Sequence, residues 1–261
     1  MKIGAETKAL VTGASRGIGL ATAEALAERS ATVGLLARSG EELEEHAARV
    51  PGAVAVAADV TELESLRGAV DGFRAEAGGL DLVVANAGIA HYGPFADQPV
   101  EQAEQMVAVN VLGTIYTVAA ALPHLLGQAS GHVVVVSSGA GLRAFPWGAV
   151  YGATKAAGRG FAEALRHELS GTGVSVSAVL PGEIETHLHD HQSERMPDWR
   201  DSANALPADR VAEAILAAVE EDRREVHVPQ SVRVLGLNGV APGLVDRLLR
   251  AARGGSAAPR R

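Results

Sequence analysis

The chain has 261 residues, 47% hydrophobic and 21% charged, with a net charge of −8 at neutral pH. A chain of that length and apolar content builds a full core without staples, and the lack of cysteine excludes disulfides, thiolate metal sites and cysteine nucleophiles. The acidic balance, with no Lys/Arg cluster before the short tail, argues against a nucleic-acid partner.

In chain order, a first strand is predicted over 9–11, followed by a glycine-rich turn and a helix over 20–27. A second strand falls at 31–36, a helix at 41–49, a third strand at 54–57 and a helix at 62–77, with Thr61 placed to cap it. A fourth strand at 82–85 leads to a long helical stretch over roughly 100–126. The run at 133–136 is too apolar to be half-exposed and predicts a central fifth strand. A helix at 150–170, a strand at 174–179, a helix at 208–220 and a short strand at 225–228 complete the pattern.

This alternation predicts an α/β fold: a single Rossmann-type, doubly wound parallel sheet of about seven strands flanked by helices. One domain is expected over 1–252, with a C-terminal helical extension over about 230–252 and a disordered tail at 253–261. Within the extension, 244–249 has the pattern of an amphipathic helix. No apolar run reaches ~18 residues and no signal-peptide pattern opens the chain, so the expectation is a cytoplasmic protein without a transmembrane span.

The chemistry-bearing residues fall at the ends of these strands. Gly13, Gly17 and Gly19 lie between the first strand and its helix, with Ser15, Arg16 and Ile18 among them. Glycines there permit positive φ and close backbone approach to a pyrophosphate, and the helix N-terminus offers free N–H groups to it. The second strand ends in Ala37 and Arg38. A carboxylate at that point would hold a ribose 2′-hydroxyl; Arg16 and Arg38 instead suit a 2′-phosphate. Tyr151 and Lys155, at i and i+4, share one helix face. A free phenol with a pKa near ~10 is a poor base, and a neighbouring ammonium favours its anion.

Taken in order, the glycine turn, Ser138, Tyr151 and Lys155 resemble the short-chain dehydrogenase/reductase family, strongly over about 5–230 and weakly beyond. The resemblance implies an NADP(H)-dependent oxidoreductase that interconverts a carbonyl and an alcohol. Tyr151 would then be the general acid/base, and Lys155 would lower its pKa and hold the nicotinamide ribose. Ser138 would bond the substrate oxygen, and Asn110 would hold a relay water reaching Lys155. It further implies that Asp59 and Val60 meet the adenine, that Asn86, Ala87 and Gly88 line the cofactor, and that Pro181, Gly182, Ile184 and Thr186 hold its nicotinamide end. Ala85 stands where the family often has an additional Asn.

In this family three segments converge on the nicotinamide, which implies a substrate pocket with His91, Tyr92, Leu142, Phe145 and Trp147. Aromatic residues are only 3% of the chain, yet Tyr92, Phe95, Phe145, Trp147 and Trp199 all fall in those segments, so an apolar small-molecule substrate is expected. His187, His189, Asp190 and His191 form a cluster in the family's lid segment; no metal is expected, since the implied chemistry needs none. The partner expected is a second copy or more, as a homodimer through the long helix and the helix carrying Tyr151, or a homotetramer. Two rival readings are an NAD-dependent alcohol dehydrogenase and a non-catalytic NADP-binding regulator or scaffold.

Overall fold

In the computed structural model, residues 1–186, 188, 205–243, 245 and 247 are described. The elements are β1 (Lys8–Thr12), α1 (Gly17–Glu28), β2 (Thr32–Ala37), α2 (Gly40–Arg49), β3 (Ala53–Ala57), α3 (Leu63–Ala77) and β4 (Leu82–Ala85). A long helix follows as α4 (Val100–Met106), a π turn (Val107–Leu112) and α5 (Gly113–Gly127). Then come β5 (Gly131–Val136), α6 (Ala149–Glu168), β6 (Val174–Pro181), α7 (Ala208–Glu220), β7 (Glu225–Val228) and a run of 3₁₀ turns (Gln230–Gly239). The seven strands form one sheet in the order β3-β2-β1-β4-β5-β6-β7, and every pairing is parallel.

The strand period of two divides the core. Ala9, Val11, Val134 and Val136 point to one face and pack with Leu26 of α1, Leu43 of α2 and Val211, Ile215 and Leu216 of α7. Leu10, Val133 and Val135 point to the other, against Leu66, Val70 and Phe73 of α3, Val118 and Leu125 of α5 and Leu165 of α6. A sheet covered on both faces must be apolar on both, which is why β5 reads as an unbroken valine run. The chain reverses its winding direction between β1 and β4, and the crevice this opens lies at the carboxyl ends of the strands.

The structure departs from the expected elements in three places. Helix α3 begins at Leu63 with Glu62 in the cap position, so Thr61 does not cap it; its N–H and hydroxyl both bond Asp59 Oδ1, at 2.9 and 2.8 Å. The long helix carries a π turn that its periodicity does not announce. It is also apolar enough by length and composition to cross a membrane, with mean hydropathy 1.7, which the expectation from apolar runs passed over. Part of its surface packs against α3, β4 and β5, and 44% of that apolar window is buried. The stretch Gln230–Gly239 winds as 3₁₀ turns rather than an α-helix. His187, His189, Asp190, His191, Trp199, most of the helix expected over 244–249 and the tail at 253–261 lie outside the described residues.

Candidate active site

A cleft of about 700 Å³ runs along the carboxyl ends of the strands. Its first wall is the glycine turn. Gly13 has φ +66, and a Cβ there would lie 2.8 Å from Ala87 Cα; one on Gly19 would lie 2.2 Å from the Gly13 carbonyl oxygen. The turn is therefore packed as closely as bare backbone allows. Thr12 and Asn86 lock it to β4: the Asn86 amide donates to the carbonyls of Thr12 and Gly13 at 2.9 and 3.3 Å. The backbone N–H groups of Asn86 and Ala87 in turn donate to Thr12 Oγ1 at 3.0 and 3.1 Å. Among the described residues no side-chain acceptor caps α1, so its first-turn N–H groups face the cleft as a site for an anion. Ser15, Arg16, Gly17 and Ile18 all line this end.

The far end of the cleft carries Arg38 and Ser39 at the tip of β2, together with Glu42 from the first turn of α2. Arg16 and Arg38 are both exposed, on neighbouring loops of the same cavity. Glu42 places a carboxylate beside them, a feature sequence reading passes over because it sits within an acidic helix run. Asp59 and Val60 line the adjoining wall, with Asp59 Oδ1 engaged by Thr61.

Tyr151 and Lys155 emerge from the first turns of α6, both buried. The Lys155 ammonium lies 5.9 Å from the Tyr151 ring centroid and donates to the Val136 carbonyl at 3.1 Å. Burial pushes its pKa down from its ordinary 10.5 to about 8. Ser138 follows β5 with extended backbone; its hydroxyl accepts from Ala140 N–H at 3.2 Å and donates weakly to the Pro181 carbonyl at 3.4 Å. Asn110 sits buried within the π turn. Its Oδ1 accepts from Ile89 N–H at 2.8 Å, and its Nδ2 donates to the Ile89 carbonyl at 2.9 Å and to Thr154 Oγ1 at 3.0 Å. Lys155 Nζ and Asn110 Oδ1 both flank Gly88. Four segments distant in sequence thus meet around one phenol and one ammonium, an arrangement able to give or take a proton at a neighbouring oxygen. Thr12 and Thr154 are additions to the residues the sequence singles out; Thr154 is detectable only as the hydroxyl at i+3 from Tyr151.

Pro181, Gly182, Ile184 and Thr186 line the opposite wall. Gly182 N–H donates to the Val228 carbonyl at 2.7 Å, and Ile184 bridges Leu206, so the segment after β6 is held over the cleft. On the open side Tyr92 and Phe145 line the cleft, joined by Leu188 and Leu235. The Tyr92 and Tyr151 rings are tilted against each other with centroids 5.7 Å apart. Leu235 comes from the 3₁₀ run, whose Val232 packs against Gly139 and Gly182 and closes the cleft from the C-terminal side. Trp147 lines a separate, adjoining cavity. Leu142 is half-buried and packs against the edge of the core, and the His91 carbonyl and N–H bond Gln98 and Met106; neither side chain is among those lining the two cavities.

Comparison with known proteins places this geometry. A sequence profile described as short chain dehydrogenase matches residues 7–197. An uncharacterized oxidoreductase of Listeria monocytogenes is 36% identical over 222 residues, covering 81% of this chain and 90% of that protein. The structure of an alcohol dehydrogenase from the archaeon Thermococcus sibiricus, complexed with 5-hydroxy-NADP, superposes with a TM-score of 0.74 at 29% identity, covering 85% of this chain and 94% of that one. A short chain dehydrogenase/reductase from Burkholderia phymatum in complex with NAD gives a TM-score of 0.85 at 24% identity, over 94% of this chain and 96% of that one, a likeness of fold.

Proposed function

The chain belongs to the short-chain dehydrogenase family of oxidoreductases, and we propose that it interconverts a ketone or aldehyde with the corresponding alcohol, using NADP(H). The observation that carries the reading is the buried ammonium of Lys155 beside the Tyr151 phenol, at the carboxyl end of β5 and within one cleft with the glycine turn.

The cleft fits a dinucleotide: a Cβ would fill the turn at Gly13 and Gly19, and the uncapped start of α1 faces it. Gly13, Ser15, Arg16, Gly17, Ile18 and Gly19 would hold the pyrophosphate, Asp59 and Val60 the adenine, and Asn86, Ala87 and Gly88 the ribose side. Pro181, Gly182, Ile184 and Thr186 would hold the carboxamide end. Arg38 with Arg16 would take the 2′-phosphate, since Ala37 offers no carboxylate to a 2′-hydroxyl. When bound, the nicotinamide supplies the hydride in reduction and accepts it in oxidation.

The chain's own residues handle the proton. In reduction Tyr151 gives its proton to the carbonyl oxygen as the carbon gains hydride, so the alcohol forms with atoms and charge balanced; oxidation reverses both transfers. The Lys155 ammonium stabilises the phenolate left behind. Ser138 exchanges its weak bond to Pro181 for one to the substrate oxygen, strongest when that oxygen carries most charge. Asn110 holds the Ile89 backbone and Thr154 in place, and the space beside Gly88 between its Oδ1 and Lys155 suits the relay water. The exposed Val100, Val107 and Leu112 of the long helix support a homodimer through that face.

The test is cofactor-resolved turnover across aldehydes, ketones and their alcohols. NADPH-selective consumption that disappears in Tyr151→Phe, with NADPH binding kept, is expected. Near-normal turnover in that variant would overturn the proton role. Tight NADPH binding with no turnover of any carbonyl would favour a non-catalytic regulator.

A further inference from the structure

Beside the main cleft lies a second cavity of about 320 Å³, and Tyr92 lines both. Its walls come from the loop after β4, the first turn of α4 and the loop between Ser138 and α6. The Gly93 N–H donates to the Trp147 carbonyl at 2.9 Å and ties these loops together. Trp147 is held at φ +70, a conformation a bulky side chain adopts only when its surroundings impose it. The side chains presented are two aromatic rings, Tyr92 and Trp147, two amides, Gln98 and Gln102, and one carboxylate, Asp97; among the described residues no cation lines it.

Two rings and a carboxylate around a cavity of this size favour a cation over an anion or a plain hydrocarbon. Building on the carbonyl–alcohol reading, we propose that this cavity receives an ammonium group at the far end of the substrate. The reacting carbonyl lies at Tyr151 and the connecting chain passes Tyr92. The apolar body of the substrate rests against Phe145, Leu188 and Leu235 in the main cleft; its head is cationic. Trp147 supplies the ring face, Asp97 the opposing charge, and Gln98 and Gln102 the carbonyl oxygens that suit polarised N-methyl or N–H groups.

Two isosteric aldehydes test this: 4-(trimethylammonio)butanal and 5,5-dimethylhexanal, which differ by one charge. The cationic aldehyde is expected to have a kcat/KM about 10-fold higher. Asp97→Asn and Trp147→Leu should each erase that preference, lowering kcat/KM for the cationic aldehyde more than for the neutral one. Equal turnover of the pair, or a preference that survives both substitutions, would overturn the cation site while leaving the redox reading intact. A readout independent of turnover is tryptophan emission, since the chain has two tryptophans and Trp199→Phe leaves Trp147 as the single emitter. Tetramethylammonium chloride should change the Trp147 emission saturably, where sodium chloride and tert-butanol do not, and Asp97→Asn should remove the saturation. A response that is unsaturable, or the same in Asp97→Asn, would overturn the proposal even if no aldehyde turned over, whereas absence of turnover with saturable binding would count against the redox reading alone.

Discussion

Asn110 donates a hydrogen bond to the Thr154 hydroxyl at 3.0 Å, across 44 residues of sequence. That contact joins the π turn of the long helix to the helix that carries Tyr151 and Lys155. Thr154 in turn donates to the Tyr151 carbonyl at 2.8 Å, so the pair sets the position of the first turn of α6. π turns commonly mark functional positions because they rotate one side chain out of helical register, and here the rotated segment delivers Asn110 to the loop after β4.

Thr154→Val keeps the shape of the side chain and removes the hydroxyl. The Asn110 amide then loses a buried partner, which costs about 1–3 kcal/mol of stability. Turnover should fall by about 10-fold with KM for NADPH little changed, because the loss acts on the placement of Tyr151. Denaturant unfolding and steady-state kinetics check both; a kcat equal to wild type would remove Thr154 from the positioning of the site.

Arg38→Ala should weaken NADPH binding by about 1–3 kcal/mol and leave NADH nearly unaffected, since a charge-assisted contact to the 2′-phosphate is lost. Glu42 lines the same end of the cleft with the opposite charge. Glu42→Gln should therefore tighten NADPH by about 3-fold, by removing a carboxylate from beside a dianion. Fluorescence titration of both nucleotides decides the two substitutions; an unchanged NADPH affinity in Arg38→Ala would remove it from the phosphate site.

Lys155→Met should abolish turnover yet stabilise the fold near neutral pH. Burial lowers the Lys155 pKa from 10.5 to about 8, and at ~1.36 kcal/mol per pH unit that drop costs the folded state ~3 kcal/mol. Losing the bond to the Val136 carbonyl gives back ~1–2 kcal/mol, leaving a net gain of ~1–2 kcal/mol. The folded wild type releases this proton at a lower pH than the unfolded chain, so its stability rises as pH climbs from about 8 to 10.5. The advantage of Lys155→Met should shrink across that range. Urea unfolding of both proteins at pH 7 and pH 10 measures the change; a constant difference would contradict it.

Gly19→Ala places a methyl 2.2 Å from the Gly13 carbonyl oxygen and 2.6 Å from the Asn86 amide. Backbone cannot yield there without opening the turn, so binding of either dinucleotide should fall by at least ~2 kcal/mol while the sheet stays folded. Circular dichroism with a nucleotide titration separates the two effects; unimpaired binding would show that the turn does not contact the pyrophosphate.

The sequence by itself determined the sheet and much of the cleft. Apolar runs such as β5 can belong only to strands covered on both faces, and alternating strands and helices with right-handed crossovers admit few arrangements. Gly13, Gly19, Tyr151 and Lys155 were legible because each depends on local backbone need or on fixed spacing along one helix, and Ser138 through the family resemblance. What the sequence left open depends on contacts between segments far apart in the chain. Glu42 reads as one more charge on a solvated helix until α2 is folded against the tip of β2. Leu235 becomes a cleft residue only because the segment after β7 folds back onto Gly139 and Gly182. Trp147 and Leu142 read alike as pocket residues from their position after Ser138, yet one lines the adjoining cavity and the other packs half-buried against the core. Local pattern fixes which way a strand or helix faces; the tertiary structure alone decides which side chains from separate loops come within reach of one another.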